Sequence, residues 1–133
     1  MSFNGVEMDD ELDAYRHRLR AYQMKLGRQA MYMNDYQLRA STTAVYEEPL
    51  YPITSLMVEA AEFADLFIKP WLRGDNVELD RKELISEAGD VLWNLSNALY
   101  DQGITLEEVA DYNLTKLQDR IDRGVLKGSG GNR

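Results

Sequence analysis

The sequence predicts an all-α fold, a helical bundle of four to five helices, on three observations. Apolar residues recur at alternating spacings of three and four, two segments carry helix-start signatures, and no useful length alternates with period two. Met8, Leu12, Tyr15, Leu19, Tyr22 and Leu26 follow that spacing, so a first amphipathic helix is predicted over 8–26. Its other face is charged, which suits packing on the body or on a partner subunit, and His17, the single histidine, lies off the apolar stripe as a surface residue.

A second helix is predicted from about Gly27 to Thr43. Tyr46-Glu-Glu-Pro-Leu-Tyr-Pro52 then reads as a loop leading into a third helix over 53–68, which is expected to end at Pro70. Leu79-Asp-Arg-Lys-Glu-Leu84 offers a capping box, Asp80 with Glu83, and a staple, Leu79 against Leu84, so a fourth helix should start at Arg81 and reach about Tyr100. The same signals return at Ile104-Thr-Leu-Glu-Glu-Val109, with Gly124 placed to end the fifth helix. The chain reads as one domain over 1–133, with 1–28 an additional N-terminal helix and 124–133 a flexible, glycine-rich, basic tail.

Composition narrows the function classes. An apolar fraction of 44% and a charged fraction of 29% are those of a globular protein, and no apolar run approaches the roughly 20 residues of a membrane helix. A formal charge of −8 argues against binding nucleic acid polymers, which rests on displacing phosphate counterions with cations. The absence of cysteine fits a reducing cytoplasm, and the acidic N-terminus does not read as a secretory signal. Positive charge collects in residues 112–133, where five basic residues face two acidic ones, leaving −11 elsewhere. An acidic protein can still take a phosphate ligand through a bound divalent cation.

The carboxylates point to such a cation. The third helix is apolar nearly all round yet carries Glu59 and Glu62 one turn apart, with Asp65 further on; the fourth carries a polar stripe of Glu83, Glu87, Asp90, Asn94 and Asn97. Carboxylates on helices this apolar need a partner, and neutralising basic residues occur only at the helix ends. Magnesium and manganese prefer oxygen donors, and Glu59, Glu62, Glu87 and Asp90 supply four without histidine or cysteine. A solvated acidic face is the competing reading. A ferritin-like di-iron centre would need Glu-x-x-His on two helices, and there is one distant histidine.

At these residues the sequence resembles the MazG-like, all-α nucleoside triphosphate pyrophosphohydrolases. The resemblance is carried by Asp35-Tyr-Gln37, Thr43-Ala-Val-Tyr46, Tyr51-Pro52, Glu59-Ala-Ala-Glu62, Lys69, Glu87-Ala-Gly-Asp-Val-Leu-Trp93, Gly103-Ile-Thr-Leu-Glu-Glu-Val109, Asn113 with Lys116-Leu117, and Arg120-Ile-Asp-Arg-Gly-Val-Leu-Lys-Gly-Ser-Gly130. It implies hydrolysis of a nucleoside triphosphate to monophosphate and pyrophosphate with Mg2+ or Mn2+ held by Glu59, Glu62, Glu87 and Asp90. Glu62 is the implied catalytic group, orienting or deprotonating the attacking water. Lys69, Asn113, Lys116, Arg120, Arg123, Lys127 and Arg133 would reach the phosphates. Trp93 would help line the base pocket, its competing reading being a core aromatic, and Asn94 and Asn97 complete the expected substrate contacts.

The resemblance also implies a homo-oligomer, a tetramer more than a dimer, acting in the cytoplasm. The compact form looks like phage-encoded relatives, among them MazZ-type enzymes acting on deoxyguanosine triphosphate. A dUTP or dCTP house-cleaning activity and a non-enzymatic acidic interaction module are the alternatives. The pattern departs at Asn94, where many relatives carry tyrosine, and at Gly131, where an aspartate is common.

Overall fold

A computed structural model describes residues 13, 14, 16–21, 24 and 31–125. The chain divides into two compact units, Met1–Tyr32 and Met33–Arg133. In the first, every described residue from 13 to 24 is helical, as the spacing predicts, and Asp13 pairs with Arg16 while its carbonyl lies 2.8 Å from His17 Nδ1. The remainder of the predicted 8–26 helix lies outside the described residues, as does the tail beyond Val125.

The second unit holds four helices, α1 (Met33–Ser41), α2 (Tyr51–Arg73), α3 (Arg81–Asp101) and α4 (Leu106–Asp122). The all-α expectation therefore holds. Helix α1 is shorter than predicted, since residues 31 and 32 are not helical and 42 and 43 form a turn. α2 begins with Pro52 in its first turn, where a missing N–H costs nothing. It then runs through Pro70 instead of ending there. A proline in the last turn removes a single ladder bond, and the stop is supplied by Gly74, at φ 68°. That left-handed residue lets the Gly74 and Asp75 amides donate to the Trp71 and Pro70 carbonyls.

At the start of α3, the Asp80 carboxylate accepts from the Lys82 amide at 2.8 Å, not from the Glu83 amide that the predicted box would use. The Thr105–Glu108 box forms as expected, with Thr105 Oγ1 accepting from Glu108 N at 3.1 Å and Glu108 Oε2 from Thr105 N at 3.0 Å. Two more amides of α4's first turn are satisfied from α1. Gln37 Oε1 accepts from Leu106 N and Asn34 Oδ1 from Glu107 N, both at 3.1 Å. Gln37, 4% exposed, also donates through Nε2 to the carbonyls of Ser96 and Ile104. One polar side chain thus joins α1, α3 and the entry to α4.

α2 and α3 form an antiparallel pair. Asp65 to Arg73 shares a pocket with Asp80 to Leu84, Glu59 meets Glu87 and Asp90, and Tyr51 shares a cleft with Trp93. α1 packs on α3 and α4. Among the described residues the buried apolar side chains are Ala40, Pro52 and Leu106, whereas Met57, Val58, Ile68, Trp71 and Leu72 of α2 stand exposed, Trp71 at 77%. The all-round burial expected for the carboxylate helices is therefore not supplied by the described part of the chain. No helix among the described residues is long and apolar enough to cross a membrane.

Candidate metal centre

Glu87 and Asp90 lie one turn apart on α3, and the antiparallel pairing sets Glu59 of α2 opposite them. One carboxylate oxygen from each lies within 4.8 Å of the other two. Glu59 and Glu87 are half-buried, while Asp90 is exposed. Burial first, then the charges of Glu62, Asp90 and Glu87 and a contact with Glu62, hold the Glu59 carboxyl above its ordinary range. Glu87 Oε2 is buried and has no hydrogen-bond partner.

Acidic clusters are common on protein surfaces, so proximity alone decides little. The buried, orphaned oxygen of Glu87 decides more, because a carboxylate oxygen removed from water without a donor is costly unless a cation meets it. Three carboxylates and no nitrogen or sulfur donor suit a hard divalent ion of the magnesium or manganese kind. The residues present therefore fit such an ion.

Three of the four sequence-predicted ligands converge. The fourth, Glu62, is exposed and lies against Glu59, outside the three-oxygen set. Lys69 Nζ pairs with Asp65 Oδ2 at 2.7 Å in a pocket of about 330 Å³ at the α2–α3 turn, which also holds Arg73. Trp93, half-buried, donates from Nε1 to Thr43 Oγ1 at 2.8 Å. Asn94 and Asn97 are buried, their Nδ2 groups donating to the Asp90 and Trp93 carbonyls of their own helix while each Oδ1 is left without a partner. The polar stripe of α3 thus divides into acids at the centre and amides enclosed in the protein.

Asn113, Lys116, Arg120 and Arg123 belong to the α4 end of the chain, and α4 packs on α1. Arg123 is held by Asp119 at 2.7 Å. Lys127 and Arg133 lie outside the described residues.

Two neighbourhoods escaped the sequence. Burial first and then the charge of Asp90 push the Tyr36 phenol up, so α1 brings a tyrosine to the edge of the centre. Beside Trp93, the loop between α1 and α2 folds Tyr46 edge-on to the indole, at 6.2 Å between ring centres, and stacks it on Tyr51 at 5.4 Å. Tyr46 OH donates to Asp101 Oδ2 at 2.8 Å; burial and that carboxylate push its phenol up to about 12. These residues stand 42 to 55 positions from their α3 partners, and no spacing rule links them.

Comparison with known proteins bears on these same elements. The sequence profile of the MazG nucleotide pyrophosphohydrolase domain matches residues 48–125, a span that contains α2, α3 and α4 and every residue of the carboxylate centre. The Gene 37 protein of Mycobacterium phage L5 is 37% identical over 114 residues, covering 77% of this chain and all of that protein. No solved structure matches.

Proposed function

This chain belongs to the MazG nucleotide pyrophosphohydrolase family, and from that premise we propose that it splits a nucleoside triphosphate, in its deoxy form, between the α and β phosphates. The observation that carries the reading is the set of three carboxylates from α2 and α3 converging within 4.8 Å with one buried oxygen unsatisfied. Glu59, Glu87 and Asp90 would hold Mg2+ or Mn2+, which when bound supplies neutralisation of phosphate charge. Glu62 rests against Glu59 but outside the three-oxygen set, and we assign it the role of base. It takes a proton from water as the water oxygen bonds to the α phosphorus; the bond from that phosphorus to the bridging oxygen breaks, and pyrophosphate leaves with the electron pair.

Lys69, with Arg73 beside it, offers cations at the α2–α3 turn, and Trp93 offers an aromatic surface at the other end of the pair. Asn94, Asn97, Asn113, Lys116, Arg120, Arg123, Lys127 and Arg133 complete the proposed substrate contacts. The basic residues of α4 would serve the centre of another protomer. The proposal includes a homo-oligomer, a tetramer in preference to a dimer, and the exposed apolar residues of α2 support association as such. On its likeness to a phage protein we place its action in the host cytoplasm; a preference for dGTP is part of the same proposal.

The test is a panel of the deoxy- and ribonucleoside triphosphates with magnesium, with the products identified. Monophosphate plus pyrophosphate is expected. Diphosphate plus phosphate, or no metal-dependent turnover, overturns the reading.

A further inference from the structure

Beside the carboxylates, at the Tyr51 end of the α2–α3 pair, lies a cleft of about 510 Å³ lined by Val45, Tyr46, Glu47, Glu48, Tyr51 and Trp93. Its size is that of a small-molecule site. We propose that this cleft holds the nucleobase, and that Glu47 and Glu48 select bases whose edge presents N–H donors, guanine above all, over thymine and uracil. The proposal rests on the nucleotide-hydrolase reading and adds to it Tyr46, Tyr51, Glu47 and Glu48.

Three observations carry it. The first is placement. Trp93 follows Asp90 by three residues, ~4.5 Å along the helix axis, and Tyr51 precedes Glu59 by eight, ~12 Å, so on both helices the cleft lies on the same side of the acids. Lys69 and Arg73 lie on the opposite side, at the α2–α3 turn. A nucleotide laid along the seam therefore meets aromatic rings, then carboxylates able to hold metal, then cations, in the order of base, reacting phosphate and leaving phosphates.

The second is rigidity. The polar tips of both inner rings are engaged elsewhere, Trp93 Nε1 with Thr43 and Tyr46 OH with Asp101, which fixes the rings and leaves their apolar surfaces for a flat ligand. Tyr51 is 48% exposed, so a face for stacking is open.

The third is the lining charge. Glu47 makes no hydrogen bond or ion pair among the described residues, and Glu48 reaches only the Leu50 amide, at 3.5 Å. Carboxylates accept and do not donate at neutral pH. Guanine offers them adjacent N1–H and N2–H donors, which a carboxylate can take together. Cytosine and adenine offer an amino group beside a ring acceptor. Thymine and uracil place carbonyls on both sides of one N–H and are repelled.

The test uses the full chain carrying Trp71→Phe, which leaves Trp93 as the single tryptophan. Its emission is followed while dGMP or dTMP is added with magnesium, since monophosphates bind without being split. Saturable quenching by dGMP is expected, with dTMP at least tenfold weaker. Tyr51→Ala should weaken dGMP by roughly 5- to 100-fold, the span that loss of one stacking ring produces. The exposed pair Glu47→Gln and Glu48→Gln, which does not threaten folding, should narrow the dGMP-to-dTMP gap.

Absence of quenching, or dGMP binding unchanged by Tyr51→Ala, overturns the cleft even where triphosphates are still hydrolysed. Equal binding of the two monophosphates overturns the role of the glutamates. Selective base binding without any triphosphate turnover leaves the cleft standing and refutes the hydrolase reading instead.

Discussion

Replacing Glu59 by glutamine should make the metal-free protein more stable and the metal-loaded protein less so. Two unit charges 4.8 Å apart repel by ~0.9 kcal/mol in water and ~3.5 kcal/mol at an effective dielectric of 20. Glu59 takes part in two of the three pairs. With Asp90 exposed and salt screening the site, the lower figure governs, and neutralising Glu59 should add about 1–2 kcal/mol. For a chain of 133 residues this is a rise of about 3–10 °C in Tm. In the unaltered protein, a cation at 100 times its Kd stabilises by about 2.7 kcal/mol, and Glu59→Gln should lose most of that gain.

The pH dependence has a definite sign. The folded state holds the Glu59 carboxyl above its ordinary value of 4.5, so its favourable contribution is present below that value and disappears as pH rises through the folded titration. Metal-free protein should therefore lose stability on going from acid to neutral pH through this group. Added Mg2+ or Mn2+ should restore more at pH 8 than at pH 5. Differential scanning fluorimetry at both pH values, with chelator or cation, reads all of this. A lowered Tm for metal-free Glu59→Gln, or equal stabilisation of both proteins by Mn2+, would refute the convergence of charges on which the centre depends.

Three further outcomes follow from the fold and site. Gln37→Leu should cost about 2–4 kcal/mol in denaturant unfolding, because it strips the Leu106 amide and two carbonyl contacts of their buried partner; a change under 0.5 kcal/mol would remove that residue from the account of α4. Gly74→Ala should cost about 1–2 kcal/mol from its left-handed backbone alone, since an added Cβ meets nothing within 4 Å, and an unchanged urea midpoint would contradict this. In ultraviolet titration Tyr46 should ionise only near pH 12, the neutral phenol stabilising the fold below 10 and that contribution fading as pH climbs to 12. Asp101→Asn should bring the ionisation earlier without abolishing the delay due to burial, and identical curves for the two proteins would exclude the Tyr46–Asp101 bond.

What could be read directly from the chain was local. The Thr105–Glu108 box, the start of α3 at Arg81 and the i, i+3 spacing of Glu87 and Asp90 depend on neighbours within one turn, and each is where the sequence places it. Pro70 misled because the rule weighs one lost amide without the strength of the stop that follows. Gly74 lay four residues on and decided the boundary. Asn34 and Gln37 cap α4 from about 70 residues away, and the Tyr46–Tyr51–Trp93 cluster depends on how a loop returns across α3. Nothing in a helical period encodes such meetings.

The apolar character of α2 shows the same boundary between what a sequence states and what it leaves open. A helix that is hydrophobic on nearly every side asks to be buried on nearly every side. The α2–α3 pairing satisfies the face bearing Glu59, yet Met57 at 73% and Trp71 at 77% exposed lie open among the described residues. The demand for burial is legible; the surface that answers it is not, because that surface need not belong to the same unit or the same protomer. Carboxylates on one face and unsatisfied apolar side chains on another therefore have a common origin. α2 is built to be held on several sides, and a polar stripe kept in such a setting needs a compensating partner, which a cation or a proton can supply.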